Sequence, residues 1–391
     1  MTGKWRKPIA LAGCVLMAVA GLSVAGCLDT RSRAEENNEG VLLRQSWSFF
    51  KSRFVPGGER VASNNYGGTI TEGQSYSLLK SVLLGDRETF EKTWRWTKTH
   101  MQRQEDHLFG WEWGQREDGA WGLKYQESAP DADQDIAYAL LLAAENWDRP
   151  DYAEAAKAII ADFWTVHVRQ IHGRYYLASG DWEGFHREYF TLNPSYFAPY
   201  VYRKFAEVDA EHAEGWKQLA ADIYPTLTAC SALTANHLPP NWCAVQYESG
   251  EITFSDRQGE GARNFGYDAH RVFWRMATDA ALGSAEAKAY LKDHQYLLTY
   301  WKAHHRLPEQ FTEKGKPVAP ENSGFTLSAA LALNHVVNPG TDEAMYAAML
   351  APHYHPEGYW FNDYNDFLQS VIWLHLYTLT LPVKPAATPS S

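Results

Sequence analysis

The chain has 391 residues, and its 36 basic and 47 acidic residues give a formal net charge of −11. This acidic balance argues against nucleic acid as a partner, because phosphate backbones are bound through patches of Lys and Arg. It fits a neutral or cationic ligand instead.

The first 26 residues have the layout of a signal peptide. Three basic residues precede an apolar stretch at 9–26, and the sequence VAGC at 24–27 follows its end. Small residues before a cysteine are typical of a bacterial lipobox. We therefore predict that Cys27 is lipidated and that the protein is exported, either anchored at the cell envelope or secreted. An uncleaved membrane anchor is the alternative.

Cleavage before Cys27 would leave 33 basic and 47 acidic residues, a net charge of −14. No later segment has the roughly 18 uncharged apolar residues that are needed to span a bilayer. The lipid is therefore the only predicted contact with a membrane.

The rest of the chain is predicted to form one large domain. A polar tether at 27–40 and a low-complexity tail at 382–391 flank a body at 41–381 that has no Gly/Ser-rich or Pro-rich linker. We expect a monomer without a metal ion or another cofactor. Cys230 and Cys243 lack the paired spacing of a zinc site. In an oxidising compartment they either form a disulfide or remain two buried thiols.

Apolar residues recur at helical spacing through most of this body. The predicted helices are, in chain order, 41–54, 73–84, 87–104, 133–146, 150–168, 195–208, 211–230, 268–283, 285–305, 324–336, 341–350 and 365–380. Helices that follow one another in pairs predict an all-α toroid, the (α/α)6 arrangement, in which six inner helices are wrapped by six outer ones. An open helical solenoid is the alternative, but no fixed repeat of roughly 30–45 residues supports it.

Three long loops, at 109–122, 171–190 and 248–267, are rich in Gly, Trp and Tyr. Long loops between regular elements are usually functional or mobile, and these have room for short β-hairpins. Four of their tryptophans are flanked by glycine or charged residues rather than by apolar runs: Trp111, Trp113, Trp121 and Trp182. Because aromatic rings pack on the C–H faces of sugars, these residues are candidates for a carbohydrate platform. Partial burial against the helices is the alternative.

Carboxylates begin two of the predicted helices. Glu72 opens the second helix, where it is either a functional acid or a first-turn residue that the helix dipole favours. Asp131, Asp133 and Asp135 precede the fourth helix, where capping would also explain them. A calcium loop fails, because Ile136 stands where that loop needs glycine. A site for Mg²⁺ and diphosphate would need cationic partners nearby, and this stretch has none.

A further acid, Asp268, lies at the start of another helix, with Arg271 one turn later. An Asp–Arg pair at this spacing is commonly a surface salt bridge. The flanking Val272, Phe273 and Trp274 predict a buried helix instead, in which a charged pair is costly unless it has a role.

Five stretches of the chain resemble motifs of glycoside hydrolase family 8. The family signature A-[ST]-D-[AG]-D-x-x-[IM]-A is similar to APDADQDIA at 129–137, which departs from it only at Pro130. Three further motifs resemble TEGQSY at 71–76, NPSYFAPY at 193–200 and GYDAHRVFWR at 266–275. A looser version of a fifth is DYNDFLQSVIWL at 363–374. The resemblance therefore spans most of the chain.

This resemblance implies an (α/α)6 enzyme that cleaves β-1,4-linked glucan within the chain and inverts the anomeric carbon. It implies Glu72 as the general acid and Asp268 as the general base. The residues expected to bind substrate are Asp131, which would distort the sugar, Arg271, which would orient Asp268 or that sugar, and Tyr196 and Tyr267 beside them.

The chemistry fits these residue types. A glycosidic oxygen needs a proton to leave, and a buried glutamic acid can keep one near neutral pH. Inversion needs about 6.5–9.5 Å between the two carboxyl groups, so that a water molecule fits. Two acids nearly 200 residues apart reach this distance only if the chain closes on itself.

Two other functions remain open. The same fold and mechanism would serve another β-linked polysaccharide, such as xylan, chitosan, a mixed-linkage glucan or the cell's own exopolysaccharide. A polysaccharide-binding lipoprotein without catalysis would keep the tryptophans but tolerate loss of Glu72 or Asp268, and both are present.

Overall fold

A computed structural model describes residues 38–64, 66–182, 188–255, 259, 261–319 and 321–383. The predicted signal peptide, Cys27 and most of the tether and tail lie outside these residues. No helix in the described part of the chain is long and apolar enough to cross a membrane.

The described helices alternate between an inner and an outer layer. The inner helices are α2 (Thr71–Leu84), α4 (Pro130–Trp147), α6 (Pro199–Val208), α8 (Arg271–Ala281), α11 (Gly324–Val337) and α13 (Asp366–Leu379). The outer helices are α1 (Asn38–Phe54), α3 (Arg87–Met101), α5 (Pro150–His167), α7 (Ala213–Ala232), α9 (Ala285–Asp293) and α12 (Asp342–Met349). A further helix, α10 (Tyr296–His304), follows α9.

The inner helices form a closed ring. Each contacts the next inner helix in chain order, and α13 returns to contact α2. Each outer helix packs on a neighbouring inner helix, and α1 packs on α13. Across this last pair, the indole N–H of Trp373 donates to the carbonyl oxygen of Leu43 at 3.0 Å. The predicted (α/α)6 toroid is confirmed.

The two layers follow from the distribution of apolar residues. Helix α11 reads GFTLSAALALNHVV and is buried at every residue from Gly324 to Val336. Apolar and small residues occur on every side of this helix, as is typical of a helix that is enclosed on all sides. Helix α3 is buried along a single stripe, at Thr89, Phe90, Thr93, Trp94, Thr97 and Met101. That spacing of three and four residues is typical of a helix with one solvated face.

Capping residues and a glycine explain where several helices begin or end. The carboxylate of Asp86 accepts from the backbone N–H of Thr89 at 3.2 Å and caps α3. Asn365 caps α13 in the same way, accepting from Leu368 at 2.9 Å. Helix α2 ends at Gly85, whose φ of 72° lies in the left-handed region that favours glycine.

The predicted helix at 285–305 is wrong, because it is divided into α9 and α10. The break falls at His294, whose ring Nδ1 and backbone N–H lie 2.7 and 3.1 Å from the carbonyl oxygen of Tyr290. A side chain that competes for a helix carbonyl weakens continuation of the helix. The other predicted helices are confirmed, and their ends differ from the predicted ones by four residues or fewer.

Short antiparallel sheets occupy the loops. They are β1 (Thr69–Ile70) with β2 (Gly110–Gln115) and β3 (Trp121–Ser128), β4 (Val168–Ile171) with β5 (Arg174–Leu177), β6 (Tyr189–Leu192) with β7 (Cys243–Gln246) and β8 (Ile252–Phe254), β9 (Gln310–Phe311) with β10 (Pro317–Val318), and β11 (Tyr354–His355) with β12 (Tyr359–Trp360). The predicted hairpins are therefore present. The β6–β7 pair joins loops that are distant in sequence and sets Leu192 opposite Cys243.

Cys230 and Cys243 form a disulfide. Cys230 lies in α7 and Cys243 begins β7, so the bond ties the β6–β7–β8 sheet to the outer layer. The sequence left the disulfide and the pair of free thiols equally open.

Candidate active site

The first turns of the inner helices meet at one end of the ring. Arg271 of α8 contacts Glu72 of α2 and Asp131 of α4. The ring of Phe367, at the start of α13, lies 5.7 Å from the Arg271 guanidinium and 5.4 Å from the ring of Phe325, at the start of α11. Because helix N-termini favour negative charge, this end of the ring suits a cluster of carboxylates.

Arg271 joins three carboxyl groups. Its Nη1 donates to Glu72, to Asp131 Oδ2 at 2.8 Å and to the Tyr76 hydroxyl at 3.2 Å. Its Nη2 donates to Asp268 Oδ1 at 2.7 Å. The Asp268–Arg271 pair is therefore part of a buried network and not a surface salt bridge.

The side chains of this network differ in how much of their surface is exposed to solvent. The side chains of Glu72 and Asp268 are 20% and 29% exposed, whereas those of Asp131 and Arg271 are 3% and 2% exposed. The two acids thus lie on the open side of the site, and the other two groups support them from behind.

The shared guanidinium limits the gap between the acids. The nearest oxygens of Glu72 and Asp268 are separated by no more than two hydrogen bonds and the width of a guanidinium group, on the order of 8 Å. The two residues are far apart in sequence, so the closed ring is what brings them together. A gap within this limit is compatible with a sugar and a water molecule between two carboxyl groups.

Burial raises the pKa of Glu72 to about 8. The Arg271 cation opposes this increase, while Asp131 and Asp268 add to it. One guanidinium faces three carboxyl groups, so a proton on Glu72 removes negative charge that is costly to bury. Glu72 therefore holds a proton near neutral pH, even though a first-turn position favours its ionised form.

The two oxygens of Asp268 have separate donors. Arg271 donates to Oδ1, and the indole N–H of Trp242 donates to Oδ2 at 3.1 Å. Burial raises the pKa of Asp268, whereas Arg271, Asn193 and Trp242 favour its ionised form. Asp268 is therefore the better candidate to accept a proton, and Glu72 the better candidate to donate one.

Tyr196 lies among these groups as expected. It ends a short 3-10 turn before α6, and its ring centroid is 5.6 Å from the Arg271 guanidinium. Burial raises the pKa of its phenol well above the usual value, and Asp131 and Asp268 act in the same direction. Tyr196 is therefore a neutral phenol at the site.

Tyr267 lies at the rim, next to Asp268 in the chain. Its side chain is half exposed, and its ring edge packs on Phe325 at 5.9 Å. A hydrogen bond with Glu309 raises the pKa of Tyr267 to about 12. The phenol is thus neutral and open to a ligand.

One predicted tryptophan is linked to the acids. Trp111 stacks on Tyr125 at 5.1 Å and meets the ring of Tyr66 edge-on at 5.9 Å. Burial raises the pKa of Tyr66, and the next contribution is the negative charge of Glu72. The exposed rings of Tyr66 and Tyr125 therefore form an aromatic surface with Trp111, near enough for Tyr66 to be affected by the charge of Glu72.

The other predicted tryptophans have different surroundings. Trp113 packs edge-on against Trp96 of α3 and lies 5.0 Å from the half-exposed ring of Trp121. The ring of Trp182 covers Gly180, where an added Cβ would lie 2.2 Å from it. The contacts described for these rings do not include the acids, and their role in sugar binding stays a prediction.

Five residues complete the site without having been predicted, namely Tyr66, Tyr76, Asn193, Trp242 and Phe367. Three of them lie inside stretches that resemble family motifs, so a closer study of those stretches would have found them. Trp242 follows the turn-forming sequence LPPN at 238–241, and Tyr66 has no distinct signal.

The remaining aspartates at the start of α4 have structural partners. Asp135 accepts from Nη2 of Arg275 at 2.7 Å, and Asp133 accepts from the backbone N–H of Phe109 at 3.2 Å. Within the described ranges, no group of three or more His, Cys, Asp and Glu side chains is placed to hold a metal ion.

Comparison with known proteins identifies relatives. A model of the glycosyl hydrolases family 8 matches residues 16–330. An endoglucanase of Cellulomonas uda is 29% identical over 260 residues, which cover 66% of this chain and 66% of that protein. Matches to this and two further curated endoglucanases cover 61–66% of those proteins' own lengths.

Solved structures share the fold. The endo-β-1,4-glucanase of Acetobacter xylinum has a TM-score of 0.70 at 23% identity, over 86% of this chain and 97% of that one. A β-1,3-1,4-glucanase of Paenibacillus sp. X4 has a TM-score of 0.73 at 19% identity, over 88% and 92% of the two chains. The family match covers more than half of the chain and includes Glu72, Asp131 and Asp268. The resemblance inferred from the motifs is thereby confirmed, and the chain belongs to the glycosyl hydrolases family 8.

Proposed function

We propose that the protein is an endo-acting hydrolase of β-1,4-glucan that inverts the anomeric carbon, with Glu72 as general acid and Asp268 as general base. The observation that carries this proposal is the bridge that Arg271 makes between the two acids. The relatives from Cellulomonas uda and Acetobacter xylinum are named as endoglucanases, which favours glucan as the polymer.

The proposed reaction uses the different protonation of the two acids. Glu72 gives its proton to the glycosidic oxygen as the bond breaks. Asp268 takes a proton from a water molecule, which attacks the anomeric carbon from the opposite face of the ring. In this proposal the carboxylate of Asp131, behind the two acids, would stabilise positive charge that develops on the sugar. After release of product, solvent returns a proton to Glu72 and removes one from Asp268.

A binding protein without catalysis is less well supported. Three carboxyl groups around one buried cation are a costly arrangement, because the charges lose their hydration. Sugar binding on aromatic rings has no use for this arrangement, whereas acid and base catalysis needs two nearby carboxyl groups that differ in protonation.

Other β-linked polymers remain the second candidate. The Paenibacillus structure is named as a β-1,3-1,4-glucanase, and its fold matches over most of both chains. The open aromatic surface at Tyr66, Trp111 and Tyr125 offers stacking faces, which do not by themselves distinguish one sugar from another.

A panel of polymers tests the proposal. The wild-type protein would be incubated with β-1,4-glucan, mixed-linkage glucan, xylan and chitosan, and new reducing ends, viscosity and early products would be measured. We expect fastest cleavage of β-1,4-glucan, an early fall in viscosity, and the α anomer as the first product by ¹H NMR. No new reducing ends on any polymer would contradict hydrolysis, and a first product in the β form would contradict inversion. Faster cleavage of another polymer would retain the mechanism and change the substrate.

We propose also that the protein acts at the cell envelope through a lipid on Cys27, a residue outside the described ranges. Mass spectrometry of the wild-type protein is expected to find a chain that begins at Cys27 and carries a lipid. A wild-type chain that keeps residues 1–26 and carries no lipid would reject the lipid anchor.

A further inference from the structure

Trp242 makes a specific contact with the proposed base. Its indole Nε1 donates to Asp268 Oδ2 at 3.1 Å, and the ring is buried. Arg271 donates to the other oxygen, Oδ1. Each carboxylate oxygen accepts more than one hydrogen bond, so both donors leave capacity for a water molecule. Together they prevent rotation of the carboxylate.

Asn241, the residue before Trp242, holds the backbone of Asp268. Oδ1 of Asn241 accepts from the backbone N–H groups of Asp268 and Ala269, at 3.2 and 3.1 Å. The Nδ2 group of Asn241 donates to the carbonyl oxygen of Gly261 at 3.1 Å. The turn that presents Asp268 is therefore held by a side chain from another loop.

The β6–β7–β8 sheet supports the segment that contains Asn241 and Trp242. Cys243 follows Trp242, pairs with Leu192 in the β6–β7 ladder and is bonded to Cys230 of α7. Asn193, which favours the ionised form of Asp268, follows Leu192. Adjacent strand ends thus place Trp242 and Asn193 next to each other, and Trp242 makes the hydrogen bond to the carboxylate.

We propose that Trp242 is a positioning residue for Asp268: its indole N–H fixes the carboxylate oxygen that Arg271 leaves free, while Asn241 fixes the backbone of the same residue. The proposal depends on the proposed function for the role of Asp268 in hydrolysis. The contact itself does not depend on that function.

The groups around Asp268 determine the direction in which its pKa should change when Trp242 is replaced. The titratable or charged neighbours of Asp268 are Arg271, which begins the helix that follows it, and Asp131, Glu72, Tyr66 and Tyr196. A hydrogen bond that is donated to a carboxylate favours the ionised form. Loss of the indole N–H therefore raises the pKa of Asp268, and the base becomes protonated at a higher pH.

The variant Trp242→Phe keeps an aromatic ring and removes the donor. We expect the acid limb of kcat/KM against pH to move upward by about 0.5 to 1 pH unit. Below the wild-type midpoint, this shift lowers kcat/KM by about 3- to 10-fold, and the loss becomes smaller at higher pH. The matched control is Trp301→Phe in α10, outside the site, for which no shift is expected. An unchanged midpoint in Trp242→Phe, with loss of rate at every pH, would overturn the proposal.

A second measurement needs neither activity nor a folded Trp242→Phe variant. In wild-type protein with ¹⁵N-labelled tryptophan, the indole N–H signal of Trp242 is expected to shift with pH, and this shift should vanish in Asp268→Asn. A signal that titrates identically in Asp268→Asn, or does not titrate in wild type, would reject the contact. If the contact is found but wild type cleaves no polymer, the positioning holds and the proposed function fails.

Discussion

Glu72→Gln is expected to lower kcat on unactivated β-1,4-glucan by at least about 10²-fold, the usual scale for a positioned acid. The amide has the size of the carboxyl group but cannot transfer a proton to the glycosidic oxygen. Initial rates of reducing-end formation would measure the loss. The fold should survive, because a neutral amide avoids burial of a charge at this position.

Two comparisons make the Glu72 result specific. Glu343→Gln is a matched control, since Glu343 is also the second residue of a helix but is exposed on α12, and its rate should remain that of wild type. A substrate with an activated aryl leaving group should lose far less rate in Glu72→Gln, because its oxygen needs little protonation. Near-normal hydrolysis of the polymer by Glu72→Gln would remove Glu72 from the mechanism.

The pH profile tests the same residue in the wild-type enzyme. Glu72 must be protonated to act, and its pKa is raised to about 8. The alkaline limb of kcat/KM, which reports groups of the free protein, should therefore fall through this region, and Glu72→Gln should lose that limb from its residual activity.

Arg271→Met is expected to cause the other large effect, a loss of kcat of at least about 10²–10³-fold. Without the guanidinium, Glu72, Asp131 and Asp268 face one another with no opposite charge, and less Asp268 is ionised. The free energy of unfolding should also fall by ~3–5 kcal/mol, the usual range when one partner of a buried ion pair is removed. Steady-state kinetics and denaturant unfolding would measure the two losses.

The stability loss should depend on pH in a defined direction. The pKa of Glu72 is about 8 in the folded protein, against ~4.3 in an unfolded chain, so the folded state binds more protons between these values. Stability therefore falls as pH rises through this window. Because Arg271 favours the ionised form of Glu72, the native states of wild type and Arg271→Met bind different numbers of protons at Glu72 only where the wild-type residue begins to ionise. The Glu72 part of the cost should therefore increase as pH rises through about 8.

Arg275→Met provides the matched control for Arg271→Met. Arg275 lies one turn further along α8, is also fully buried and pairs with Asp135 rather than with the two acids. Arg275→Met should lower the free energy of unfolding about as much as Arg271→Met does. The molecules that remain folded should keep most of the wild-type kcat. Equal kcat values for the two variants would show that Arg271 contributes to packing and has no specific role in catalysis.

The helices and the two acids could be predicted because their signals are local, whereas the closed ring was inferred from the pairing of the helices and from the family resemblance. The stripe on α3 and the largely apolar sequence of α11 indicate burial directly, and Glu72 and Asp268 lie in short motifs. The contact of Trp242 with Asp268 joins residues 26 positions apart, and no periodicity records it. Trp111 and Trp113 have similar neighbours in sequence but different partners in space, because Trp111 stacks on Tyr125 whereas Trp113 packs against Trp96.

The contact between α1 and α13, here called the seam, has a consequence for the folding of the newly synthesised chain. Glu72 is synthesised early, yet its contact with Arg271 spans 199 positions, and the wall that shields it is complete only when the last helix docks on the first. Topologies dominated by such distant contacts fold slowly and leave apolar faces uncovered in the meantime. Until the seam forms, the nascent chain is therefore most vulnerable to aggregation and proteolysis.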